Sequence, residues 1–486
     1  MDRAKLVEIF PNLVPFAERV GRGIRAVGRG FLWFFRRTWK PALALFIVVF
    51  VIHGVAAMVI GRRFAADIAA IKAKGDPVTM AALAGNLVPK EQNGAVVYAK
   101  VFKMLYTEPA NKDVEILEHL IMKETDSLEQ QYVSDRVRNI PDLWSASRLA
   151  AQRLEVVVPL VKEAQARPKC KFPVNWEAGT AAILPHYSGL RKLTRVLSAQ
   201  AVVDAIDGKM AGAFHKIELA LKTARAAKDD PILISTLVTA SSTRIANNYL
   251  RKVLEYGTPD ESQARKLYGM LSDMGLRQEF VNAMKGERAM GMWCFNLARK
   301  QGMMALGEST SRNKPSAGIG RFVIRSASYA WHPVLYADGR CYLKQMAKSI
   351  NDSTKSYRLS DLRQLEIEQR SVPRYAVITN ILFPVYSRAS AAVDGALADT
   401  SLTQILVAAQ VYKAEIGHYP ESINELRAKV RYSIPLDPFS GRDFMYKRTP
   451  QGFQVYSIGW NLKDDGGMVP KHDDPNFGDI VLNWKH

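Results

Sequence analysis

Three hydrophobic patterns divide this chain. Residues 41–61 contain no Asp, Glu, Lys or Arg, and the run Ala42-Leu43-Ala44-Leu45-Phe46-Ile47-Val48-Val49-Phe50-Val51-Ile52 continues through His53 and Gly54 to Ile60. Roughly 20 apolar residues cross the hydrocarbon core of a bilayer, so this run predicts one transmembrane helix. It exceeds the apolar core of a cleaved signal peptide, roughly 7 to 15 residues, and predicts an uncleaved signal anchor. Beyond it, apolar residues recur at three- and four-residue spacing through 114–122, 149–161, 190–206, 211–227 and 233–256. The turn signals Asp207-Gly208, Lys228-Asp229-Asp230-Pro231 and Gly257-Thr258-Pro259-Asp260 separate the later segments. This is the period of amphipathic helices, and it predicts a stack of antiparallel helical hairpins, a solenoid or a bundle, over 62–395. The last part of the chain, 396–486, changes character: a helix over 402–416 and a short second helix precede two strands and an acidic loop over 461–479.

Charge orients the span. Arg22, Arg25, Arg29, Arg36, Arg37 and Lys40 precede it, whereas Arg62, Arg63, Lys72 and Lys74 follow. The excess on the first flank predicts a cytoplasmic segment 1–40, a span over 41–61 and an extracytoplasmic remainder. Phe16, Val20, Ile24, Val27 and Phe31 alternate with arginines as in a basic amphipathic helix lying on the inner leaflet, and Trp33, Phe34, Phe35 and Trp39 suit the interfacial aromatic belt. The net charge of +20 over 486 residues raises nucleic acid as a partner. Its lysines and arginines are spread along the whole chain without interleaved aromatics, so adhesion to anionic lipid or wall polymer is the expectation and no nucleic-acid partner is expected. With 48% hydrophobic residues the chain has material for sizeable cores. Cys170, Cys294 and Cys341 are odd in number and far apart, which points to buried free thiols rather than a zinc site or disulfide framework.

Catalytic chemistry has one sequence candidate. Prolines interrupt the helical pattern at Cys170-Lys171-Phe172-Pro173-Val174-Asn175-Trp176 and Ala181-Ala182-Ile183-Leu184-Pro185-His186-Tyr187. His186 beside Tyr187, with Glu177 near in sequence, would supply an acid/base pair for a cell-wall or polysaccharide hydrolase. The competing reading is a loop that packs its aromatics on the helices. Glu287-Arg288 reads as a structural ion pair within a helix. No zinc-protease, nucleophile-elbow, phosphate-loop or dinucleotide motif occurs, so no catalytic residue is assigned.

The end of the chain carries a family resemblance. A helix runs into Gly417-His418-Tyr419-Pro420, followed by Pro435-Leu436-Asp437-Pro438-Phe439-Ser440-Gly441, the turn Ser457-Ile458-Gly459, and Asp479-Ile480-Val481-Leu482-Asn483-Trp484. This order resembles the C-terminal half of the major pseudopilins of type II secretion systems. The resemblance implies a small α+β module whose acidic loop holds calcium, a partner in secretion or the envelope, and ligands between the Ser-x-Gly turn and the final Asp-Ile. Asn461, Asp464, Asp465, Asp473, Asp474 and Asp479 supply the oxygen that a calcium site needs, about six to eight ligands, with Asp464 and Asp479 foremost. Gly466 and Gly467 would permit the tight turn. The apolar run is not preceded by a prepilin-peptidase site and lies several hundred residues from the module, so assembly into a filament is not expected. The segment 71–102 is similar in pattern to the opening of large anchored envelope proteins of planctomycetes, which combine anchor, helical region and pseudopilin-like end. The expectation is therefore a mainly α protein: an anchor, a helical-hairpin ectodomain and a small α+β module, acting as a membrane-bound envelope scaffold.

Overall fold

A computed structural model of the chain describes residues 13–124, 135–302, 331–359, 367, 371–382, 386–468 and 478–485. The first helix, α1 (Leu13–Ala73), contains Pro41, so the expected amphipathic segment and the span form one continuous helix. At 1.5 Å per residue its 61 residues extend for about 90 Å. From Trp39 the helix is long and apolar enough to cross a membrane, and among the described residues none of its most apolar stretch is buried. Phe46 and Phe50 are 65% and 68% exposed, as lipid-facing side chains would be.

The same helix then becomes part of the protein. After α2 (Met80–Ala84) come α3 (Gly94–Leu105), α4 (Ala110–Glu124), α5 (Asp135–Arg138), α6 (Leu143–Arg153) and α7 (Val157–Ala166). Next come α8 (His186–Ile206), α9 (Met210–Ala224), α10 (Leu233–Leu254), α11 (Glu261–Ser272), α12 (Leu276–Gln301) and α13 (His332–Ser353). The last helices are α14 (Val377–Leu382), α15 (Tyr386–Ile416) and α16 (Ile423–Lys429). Short polar turns make consecutive helices neighbours, and α8, α9 and α10 pack side by side. The Asp260 signal is a full capping box: its carboxylate accepts from the Gln263 amide while the Gln263 side chain accepts from the Asp260 amide, starting α11.

Two hydrophobic cores result. The larger runs from Met80 through α3 to α11 and on into α15 and the terminal sheet. The smaller gathers Phe280, Met284, Phe295, Leu335, Tyr342 and Met346 from α12 and α13, with Phe64, Ile68 and Ile71 of α1 packed against it. The extension of the membrane helix is thereby built into the body rather than trailing from it.

The helix expected over 402–416 begins at Tyr386, so the sequence boundary at 395/396 falls within α15. Burial of Leu402, Ile405, Leu406 and Ala409 against α10 and α11 fuses the terminal part to the body. Polar groups share that contact. Asn247 Nδ2 donates to Asp399 at 2.9 Å and to Thr400 at 3.1 Å, and Arg251 donates to Asp399 and Thr403.

The terminal sheet has three antiparallel strands, β1 (Met445–Thr449), β2 (Gly452–Ser457) and β3 (Ile480–Lys485), in that order. The two strands before the loop were expected, whereas the third, after it, was not read as a strand in the sequence; the register sets Phe453 opposite Trp484. Both are buried. The Tyr-Pro turn locks onto this pair, since Trp484 Nε1 donates to the Tyr419 hydroxyl at 2.8 Å and the Tyr419 ring meets Phe453 edge-on at 5.2 Å. An aromatic cluster thus fastens the turn after α15 to the sheet that frames the acidic loop.

Candidate functional site

The acidic loop leaves β2 through a buried clamp. Ser457 Oγ donates to Asp437 Oδ1 at 2.6 Å, and Asp437 also accepts from the amides of Phe439 and Ser440. Asp437 is 1% exposed, so its charge is offset by three donors rather than by water. Past Gly459 the loop closes on Asp479, which accepts from the Gly467 amide at 2.7 Å and the Asp465 amide at 3.4 Å. Both Gly466 (φ 73°) and Gly467 (φ 75°) adopt the left-handed backbone that this closure requires. Asp464 Oδ1 accepts from the Tyr456 hydroxyl at 3.0 Å and from the Gly466 amide, while Asn461 Nδ2 donates to Asp465 at 2.7 Å.

Four of the six expected ligands, Asn461, Asp464, Asp465 and Asp479, therefore share one hydrogen-bonded loop. Asp473 and Asp474 lie outside the described residues. Burial, with the charges of Asp465 and Asp464 adding to it, raises the Asp479 carboxyl above the usual range even though two amides oppose the shift. Burial and the Asp464 carboxylate push the Tyr456 hydroxyl up to about 12. Among the described residues no group of three or more His, Cys, Asp or Glu side chains gathers closely enough to hold a metal ion. The donor chemistry is all oxygen, as calcium prefers, and the repulsion between the carboxylates is what a cation would relieve.

The second candidate is organised around a residue that sequence reasoning treated only as a turn. His186 opens α8, and Asp230 ends the α9–α10 connection just before Pro231. His186 Nε2 meets Asp230 Oδ2 at 2.9 Å, and the Tyr187 hydroxyl donates to the same oxygen at 3.1 Å. Phe172 stacks on the His186 ring at 4.5 Å, 8° from parallel. His186 is 5% exposed and Asp230 7%. Glu177, the partner suggested by sequence, is exposed on the short turn Trp176–Ala181, and both His186 and Tyr187 are directed to Asp230 instead. Burial, then the Asp230 charge, raises the Tyr187 hydroxyl well above its ordinary value, so it acts here as a hydrogen-bond donor.

An open cleft of about 170 Å³ borders this cluster, lined by Leu83, Lys169, Cys170, Lys171, Trp176 and Asp230 among others. That is below the usual range for ligand pockets, roughly 300 Å³ and upward. Lys171 Nζ is already bonded to the carbonyls of Ala84 and Asn86, and burial pushes the Cys170 thiol up to about 12, leaving it a poor nucleophile.

The Glu287-Arg288 pair also separates. Arg288 reaches Asp76 at 3.0 Å, joined there by Lys285 at 2.8 Å, whereas Glu287 accepts from the Leu233 amide at the start of α10. Burial favours the neutral form of Asp76, but hydrogen bonds from Lys285 and Arg288 outweigh it and hold the carboxyl below its usual range. Asp76 thus ties the exit of α1 to α12. No family model, no curated protein and no solved structure matches the chain.

Proposed function

We propose that this protein is a single-pass membrane-anchored scaffold of the cell envelope. Its N-terminal segment is cytoplasmic, its anchor lies in the cytoplasmic membrane, and its helical body and terminal module face outward to bind envelope or secretion proteins. The observation that carries this reading is the uncovered apolar helix from Trp39 running without a break into a packed helical body. The excess of basic residues before the span supports the orientation. The pseudopilin-like order of the terminal module supports a partner in secretion, and calcium is proposed as its structural ion, held by Asn461, Asp464, Asp465, Asp473, Asp474 and Asp479. When bound, calcium would neutralise the repelling carboxylates and pin the loop; Asp479, already joined to Gly467 and Asp465, orients the two halves of the loop for it.

The alternative, a wall-polymer hydrolase centred on His186, is less well supported because His186 and Tyr187 are both buried and both spent on Asp230. Incubating the purified full chain and its His186→Ala variant with cell-wall polymers separates the readings. A scaffold releases no soluble fragments in either form. Fragment release by the wild type that His186→Ala abolishes would establish the hydrolase.

A further inference from the structure

Helix α13 runs parallel to α1 and starts below the point where the membrane span ends. Gly61 lies against the Tyr336 ring, Phe64 meets that ring at 5.8 Å, and Arg340 bonds Asp67 at 2.7 Å, so the two helices rise together. Gly61 closes the uncharged run. Five residues back from Tyr336 is Trp331, which the helical rise puts about 7 Å deeper, level with the last turns of the span. His332, beside it, lies within electrostatic reach of His53 in the span and of Arg299 near the end of α12. The two helix ends therefore meet at the depth of the apolar run.

The surface there has the chemistry of a bilayer interface. Trp331 is 58% exposed, Arg299 and Lys300 are exposed at the end of α12, and Arg62 and Arg63 are exposed just past the uncharged run. Helix α14, held to α13 by the Asp338 carboxylate accepting from the Ile378 and Thr379 amides, adds exposed Val377 and Ile381. Tryptophan with flanking basic residues is the composition that settles at headgroup level. Pro333 in the first turn of α13 removes one unpaired amide donor from that helix end.

We infer that the first turn of α13 and the last turn of α12 are inserted into the headgroup layer of the membrane that α1 crosses, binding anionic lipid through Arg299 and Lys300. The body then rests on the bilayer instead of standing away on a stalk, and its orientation to the membrane is fixed at two places. This rests on α1 being a membrane span, and the test separates the two.

The full chain, with Cys170, Cys294 and Cys341 replaced by alanine, is labelled with bimane at Phe46→Cys, Trp331→Cys or Trp460→Cys and placed in nanodiscs containing nitroxide lipid. The expected order is strong quenching at Phe46→Cys, clear quenching at Trp331→Cys and almost none at Trp460→Cys, in the terminal module. Raising phosphatidylglycerol from none to about a third should increase quenching at Trp331→Cys severalfold, and adding R299E and K300E should remove that increase. Quenching at Phe46→Cys with Trp331→Cys no different from Trp460→Cys overturns the inference alone; no quenching at Phe46→Cys overturns the span as well. Should Trp331→Cys fail to fold, the conservative Trp331→Phe keeps the question decidable. Loss of that tryptophan must lower the share of native emission quenched by brominated lipid, and an unchanged share counts against insertion.

Discussion

Individual carboxylates show how burial and partners set opposite outcomes in one fold. Asp76 has two cationic donors and is held ionised, whereas Glu279, 8% exposed, has only a 3.4 Å contact to Arg225. Burial outweighs that contact and pushes Glu279 up to about 7 from its ordinary 4.5. Its unfolded form loses the proton near 4.5 and its folded form keeps it, so folding binds a proton in between. The stabilising contribution is complete below pH 4.5 and is lost as pH rises to about 7. A Glu279→Gln variant should lack this decline, worth on the order of 3 kcal/mol at most. Denaturant midpoints of wild type and variant across pH 4.5 to 7 check it, and parallel curves would refute it. Such placements were not legible in the chain: Asp230 read as a turn residue, and only the tertiary fold brings it to His186 across 44 positions. Glu177, near His186 in sequence, was the wrong partner because proximity along an irregular segment does not fix direction.

Helices with a clean apolar stripe were legible; those with buried polar faces were not. The segments 190–206, 211–227 and 233–256 correspond closely to α8, α9 and α10. The first half of α15 was missed because Ser390, Asp394, Asp399 and Thr400 are buried in it, which hides the apolar period. Asp394 pays its desolvation through Arg277 and the Tyr357 amide. Packing between elements is close enough to give opposite effects of one substitution. A Cβ at Gly286 of α12 would lie 1.4 Å from the Pro231 carbonyl oxygen, whereas Gly269 of α11 has nothing within 4 Å. Gly286→Ala should therefore cost about 1–3 kcal/mol or more by overpacking. Gly269→Ala, in an exposed helix interior, should gain roughly 0.5–1 kcal/mol. Chemical denaturation of both variants tests this, and a stabilising shift for Gly286→Ala would show that α12 packs less closely on Pro231 than described.

At the scale of the whole molecule, three sequence patterns became one connected object. The apolar run was legible as a span from composition alone, but its continuation into the smaller core was not, because Phe64, Ile68 and Ile71 read as ordinary helix residues until α13 covers them. The terminal sheet likewise shares the larger core through α15. Calcium in the acidic loop should then stabilise more than the loop. Ligand binding to the folded form alone raises stability by mass action, about 2.7 kcal/mol at a hundred times the dissociation constant. Melting the full chain with millimolar calcium and with chelator should separate the midpoints, and Asp479→Ala should bring them together; identical midpoints in the wild type would remove calcium from the scheme.

The anchored, outward-facing body is tested most directly by topology. Two reporters fused in turn after His486, one active only in the cytoplasm and one active only outside it, read the side on which the body lies. Signal from the outer reporter with silence from the cytoplasmic one is expected. A bright cytoplasmic reporter with a silent outer one would place the helical body inside the cell and contradict the envelope scaffold.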